Sequence, residues 1–128
     1  MIKELLIIII IIVSIFTLDS ITQSYTENNI DEIIRGLNNL QDDIRNNENK
    51  EKMEEYISTI KNRWTEMEVK FSYYLEHDEL EKVDTEVNGL SSYIETCENN
   101  LALAEIEKTI FILEHIKEKN TFTLGNVF

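Results

Sequence analysis

Residues 53–74, MEEYISTIKNRWTEMEVKFSYY, decide the fold. Within them Met53, Ile57, Ile60, Trp64, Met67, Phe71 and Tyr74 recur at alternating steps of four and three, an a/d seam held for three heptads. A helix places all of these side chains on one face, whereas a strand, with its period of two, scatters them over both. The intervening residues are almost all polar or charged, so the segment has one wet face and one large, partly aromatic face. It is expected to be the central core helix, with Trp64, Phe71 and Tyr74 as packing residues rather than a ligand box.

The same spacing continues on both sides. Upstream, Ile30, Ile33, Ile34, Leu37, Leu40 and Ile44 form a second apolar stripe, separated from the first by the polar run Asn46-Asn47-Glu48-Asn49-Lys50, which reads as a turn. Downstream, the stripe ends at Glu76-His77-Asp78-Glu79, where Asp78 is the expected N-cap of a third helix carrying Leu80, Val83, Val87, Leu90, Ile94 and Cys97. Cys97 is read there as a small apolar core residue. Glu98-Asn99-Asn100 reads as the next turn, with Asn100 capping a fourth helix whose Ala102, Leu103, Ile106, Ile110, Leu113 and Ile116 face inward. The chain has no proline and three glycines, so little interrupts helix and the turn punctuation of a sheet protein is missing. The expectation is an all-α protein in which residues 25–119 form an acidic, antiparallel bundle of about four helices. Two stacked helical hairpins are the alternative packing.

The N-terminus has a different character. Leu5 to Leu18 contains no charged residue. Those fourteen residues span about 21 Å as a helix, against a hydrocarbon core of about 30 Å. Extension from Ile2 to Ile21 reaches the full thickness if Lys3 snorkels to one interface and Asp19 sits at the other. Residues 1–24 are therefore expected to be a retained, single-pass transmembrane anchor in the cell membrane. A cleaved secretory signal is the alternative, but Glu4 offsets Lys3 and no Ala-x-Ala site follows. The short N-terminal tail is most easily left in the cytoplasm, which puts the acidic domain on the extracytoplasmic side. With no breaker between Ile21 and Ile30, anchor and first bundle helix are expected to form one rod.

The formal charge of -13 falls after residue 18 and disfavours nucleic acid, whose phosphates need clustered Lys or Arg. One cysteine allows no intramolecular disulfide and no thiolate metal cluster within the chain. Gly-rich phosphate loops, His-Glu-x-x-His and Gly-x-Ser-x-Gly do not occur. A ferritin-like di-metal centre needs Glu three residues before each histidine, and Tyr74 and Ile112 stand there instead. No enzymatic activity and no cofactor are expected. The best metal candidates are His77, Glu79 and His115, which an antiparallel arrangement of the last two helices would bring to the membrane-proximal end. Histidines at helix ends more often interact with carbonyls and the helix dipole. Residues 120–128 lose helical periodicity but keep Phe122, Leu124, Val127 and Phe128, so they are expected to dock as an apolar tail on the open end of the bundle, on a partner or at the bilayer surface.

The segments Arg63-Trp64, Leu75-Glu76-His77-Asp78-Glu79-Leu80, Leu101-Ala102-Leu103-Ala104-Glu105-Ile106, Leu113-Glu114-His115-Ile116 and Leu124-Gly125-Asn126-Val127-Phe128 resemble domain-of-unknown-function family 4363. Its members are short single-anchor proteins found mainly in Clostridia and related spore-forming Firmicutes. The resemblance implies that His77, Glu79, His115 and Asn126 belong to a family pattern, and it implies association with larger membrane proteins rather than an activity. The functional expectation is a membrane-anchored, non-enzymatic accessory or interaction protein that partners another membrane protein, with Phe122, Leu124, Asn126, Val127 and Phe128 as candidate contacts. An extracytoplasmic binding module for a small ligand or divalent cation is the alternative.

Overall fold

The structure, a computed structural model, describes residues 1–121 with their side chains and the backbone onward to Gly125. It consists of α1 (Ile2–Arg45), α2 (Lys50–Phe71), α3 (His77–Glu95) and α4 (Asn99–Gly125). α1 packs on α2 and α4, and α3 packs on the same two helices. Short turns join successive helices, so this closed ring is an up-and-down antiparallel bundle.

α1 is one uninterrupted helix of 44 residues, about 66 Å long. Its N-terminal half is long and apolar enough to cross a membrane and buries none of that stretch against the rest of the protein. Ile2, Leu5, Leu6 and Ile7 through Phe16 are exposed. Burial begins at Thr26 and continues through Asn29, Ile30, Ile33, Ile34, Leu37, Leu40 and Ile44.

The core joins those α1 residues to Met53, Ile57, Ile60, Trp64, Met67 and Phe71 of α2, Leu80, Val83, Val87, Leu90 and Ile94 of α3, and Ala102, Ile106, Leu113 and Ile116 of α4. Arg63 and Trp64 fix α2 to its two neighbours. The Arg63 guanidinium donates to both Glu32 carboxylate oxygens, at 3.1 and 3.0 Å, and to Asn29 Oδ1 at 3.0 Å. Trp64 Nε1 donates to Asp84 Oδ1 on α3 at 2.6 Å. Polar partners at both sides set the register that apolar packing alone leaves adjustable.

The turns after α1 and α3 are built alike. Asn47 and Glu48 donate their backbone N–H groups to Ile44 and Asp43, and Cys97 and Glu98 donate to Ile94 and Tyr93. Both are Schellman motifs, which need a left-handed residue directly after the C-cap. Asn47 has φ 53° and Cys97 φ 58°. Asn49 then caps α2, its side chain accepting from the Glu51 N–H at 2.8 Å.

Several residues depart from the sequence reading for local reasons. Cys97 is exposed in the α3/α4 turn instead of in the core, because α3 ends two residues before it. α3 starts at His77, with Glu76 at the N-cap in extended backbone and no side-chain cap bond, so Asp78 lies in the first turn. There its charge still favours the helix N-terminus. α4 begins at Asn99, one residue before Asn100. On α4 the inward position between Ile106 and Leu113 belongs to Thr109, which is fully buried. Its hydroxyl can be buried because it donates to the Glu105 carbonyl at 2.7 Å, while Leu103 and Ile110 are only half-buried at the flank. α4 also continues past Lys119, where its apolar spacing lapses, to Gly125. Of the tail expected at 120–128, residues 120–125 continue α4, and the side chains of 122–128, with whatever they dock on, lie outside the described residues.

Candidate functional site

The exposed apolar half of α1 leaves the bundle at one end, and the residues gathered there are the ones with chemistry to offer. Phe71 closes α2 and sits among three aromatic rings: Tyr25 at 5.7 Å and Tyr74 at 6.2 Å in edge-on contacts, and Trp64 at 5.9 Å, tilted by 53°. Lys70 lies over the Tyr25 ring at 5.3 Å. Tyr74 is past the end of α2, in the turn to α3, and its hydroxyl meets Thr26 Oγ1 at 2.8 Å. Thr26 itself donates to the Thr22 carbonyl at 2.7 Å. A hydroxyl has one proton, so Tyr74 is the donor. Burial pushes the Tyr74 phenol above its ordinary pKa, which keeps that proton in place.

α4 reaches the same end. Lys117 bonds Asp31 at 2.7 Å and Glu114 at 3.3 Å, and Thr121 lies 3.5 Å from Glu27. Four residues forward on α4 therefore match four residues back on α1, which carries the C-terminal part of α4 alongside α1 toward its apolar half. Lys119 bridges to α3, at 3.0 Å from Glu76 and 3.9 Å from Glu79. The hydrogen bond that Lys117 donates to Asp31 holds its ammonium above its usual pKa, and the one that Lys119 donates to Glu76 does the same.

The three metal candidates are not assembled into a cage. Glu79 faces Lys82 at 3.5 Å as well as Lys119, and two ammonium groups oppose a cation at that carboxylate. His77 and His115 are both exposed. Among the described residues no three His, Cys, Asp or Glu side chains come together as a metal site. Of the candidate contact residues, Phe122 and Leu124 belong to α4 by their backbone. Their side chains, and Asn126, Val127 and Phe128, lie outside the described residues.

A cavity of about 140 Å³ opens between Tyr74, Leu75, Glu76 and Glu79 on one side and Ile116, Lys119 and Asn120 on the other. Its floor is apolar and its rim carries both charge signs. Asn120 Nδ2 is buried there without a hydrogen-bond partner. Nothing in the spacing of the sequence singles out Asn120, since an asparagine near a helix end ordinarily signals a cap.

Farther along the bundle, two pairs of carboxylates meet across helices. Burial and the facing Glu86 push Glu105 up to about 7, while Lys108 pulls the other way. Glu86, accepting from Glu105 and from Lys108 at 2.8 Å, is held below the usual carboxylate range. Burial and Asp84 similarly raise Glu68. These pairs are helix-to-helix contacts, Glu86 with Glu105 between α3 and α4 and Glu68 with Asp84 between α2 and α3.

Neither the curated proteins nor the solved structures contain a match to the chain. A family model does match, over residues 20–127, beginning directly after the apolar run and covering the whole bundle. The chain belongs to the family described as Domain of unknown function (DUF4363).

Proposed function

We propose that this protein is a membrane-anchored, non-enzymatic accessory or interaction subunit, held by the first half of α1 with its acidic bundle on the extracytoplasmic face. The observation that carries this reading is the continuity of α1. An apolar half of membrane-spanning length, none of it buried against the bundle, runs without a break into a half that supplies one wall of the core. Exposed Leu and Ile on that scale are unfavourable in water at about 25 cal/mol per Å² of apolar surface and are matched by a bilayer core. A rigid helix also fixes which end of the bundle meets the membrane, so a neighbouring membrane protein would find the Tyr74, Glu76 and Lys119 end beside it.

A small-ligand binding module is the second reading, supported by the cavity beside the unpartnered Asn120 amide. Affinity capture of the full-length protein from native membranes separates the two. A membrane protein recovered with the wild type and lost with Lys119→Glu supports the interaction subunit. Recovery of the chain alone, with thermal stabilisation by a small-molecule fraction that Asn120→Leu abolishes, supports the binding module instead.

A further inference from the structure

We infer that the α2/α3 turn, residues 72–76, rests in the lipid headgroup layer, with Tyr73 as its point of contact with zwitterionic phospholipid. This rests on the membrane reading of α1 and adds a second membrane contact to it. Tyr74, in the same turn, is tied to Thr26 of α1 at 2.8 Å. Thr26 lies five residues beyond Ile21, where a span beginning at Ile2 completes about 30 Å of hydrocarbon. Five helical residues rise about 7.5 Å, and each headgroup layer is about 5–8 Å thick. The turn is therefore at headgroup depth, and the usual tilt of a single span brings it closer still.

The chemistry of the turn fits that layer. Tyr73 is 84% exposed and Val69, one helical turn before it, is 60% exposed. Both apolar surfaces are at the end of the bundle where α1 projects. Tyrosine favours the membrane interface because its ring is apolar and its hydroxyl is hydrated. Lys70, between them, is exposed beside the Tyr25 ring and suits phosphate, while the exposed Asp78 suits the ammonium of an ethanolamine or choline headgroup and opposes net anionic lipid. The bundle would then lie directly on the bilayer, not on a stalk above it.

The test uses the full chain in vesicles of phosphatidylcholine and phosphatidylethanolamine with brominated acyl chains. Tyr73→Trp adds an indole at the turn. Glu55→Trp adds one near the opposite end, and buried Trp64 is common to both. The expected result is a blue-shifted added emission that bromine quenches in Tyr73→Trp, with no quenching of the emission added in Glu55→Trp. Co-flotation with the vesicles and no quenching in Tyr73→Trp overturns the headgroup contact alone. Failure of the wild type to co-float overturns both this inference and the membrane reading beneath it.

Discussion

The Tyr74 hydroxyl donates to Thr26 Oγ1 at 2.8 Å, tying the turn after α2 to the point on α1 where burial begins. Thr26 keeps its own acceptor at Thr22, so removing the phenol oxygen leaves no buried donor stranded. Tyr74→Phe should therefore cost only about 0.5–1.5 kcal/mol in a urea titration, with an unchanged m-value. A loss above about 3 kcal/mol would mean that the ring has left Phe71 as well.

Trp64 is both a core side chain and a donor. Trp64→Ala should destabilise the bundle by about 3–5 kcal/mol, and Trp64→Phe by about 1–3 kcal/mol, because Asp84 then loses its indole partner. Melting of Trp64→Ala at the wild-type temperature would remove Trp64 from the core.

Glu105 gives the bundle a pH dependence of definite sign. Its pKa is raised from 4.5 to about 7 on folding, so the stability it contributes is complete below pH 4.5 and is lost as pH rises through 7. Glu68 is raised by burial and adds in the same direction. Glu86 is lowered and acts only at more acidic pH. The melting temperature should fall between pH 5 and pH 8. Glu105→Gln should flatten that slope and stabilise the protein at pH 8 by about 1–2 kcal/mol, after allowance for solvent screening. A wild-type melting curve that rises over this range would contradict the pairing of Glu105 with Glu86.

Two substitutions should stabilise the fold. Cys97 occupies a left-handed turn position with φ 58°, which costs a side chain about 1–2 kcal/mol, so Cys97→Gly should recover about 1 kcal/mol by thermal melting. At Gly36, inside α1, an added Cβ meets Ile60 Cδ1 at 3.5 Å, an ordinary contact. Gly36→Ala should add about 0.5–1 kcal/mol. At Gly89 the Cβ would meet Glu105 Oε1 at 3.2 Å, so Gly89→Ala should give less.

The helices were legible because the seam from Met53 to Phe71 repeats with a period that only a helix places on one face, and the Asn46 to Asn49 turn because nothing apolar interrupts it. The closing positions were not. Cys97 continues the apolar spacing of α3, yet the Schellman bonds from Cys97 and Glu98 end the helix before it. Thr109 was passed over because its burial depends on a hydroxyl bond to its own helix, which spacing does not reveal. The partners of Arg63, Tyr74 and Lys119 depend on how helices slide past one another, and one sequence carries little information on that. The candidate site was legible as an end of the bundle and not as a set of contacts: His77 and His115 stand exposed, and the cavity uses Tyr74, Lys119 and Asn120.

The proposed function makes α1 at once membrane span and bundle wall. Its most direct test is the intact mass of the protein in native membranes after an alkaline carbonate wash. The chain should stay in the membrane pellet with residues 1–18 attached. Release into the wash, or a mature N-terminus after Leu18, would contradict it.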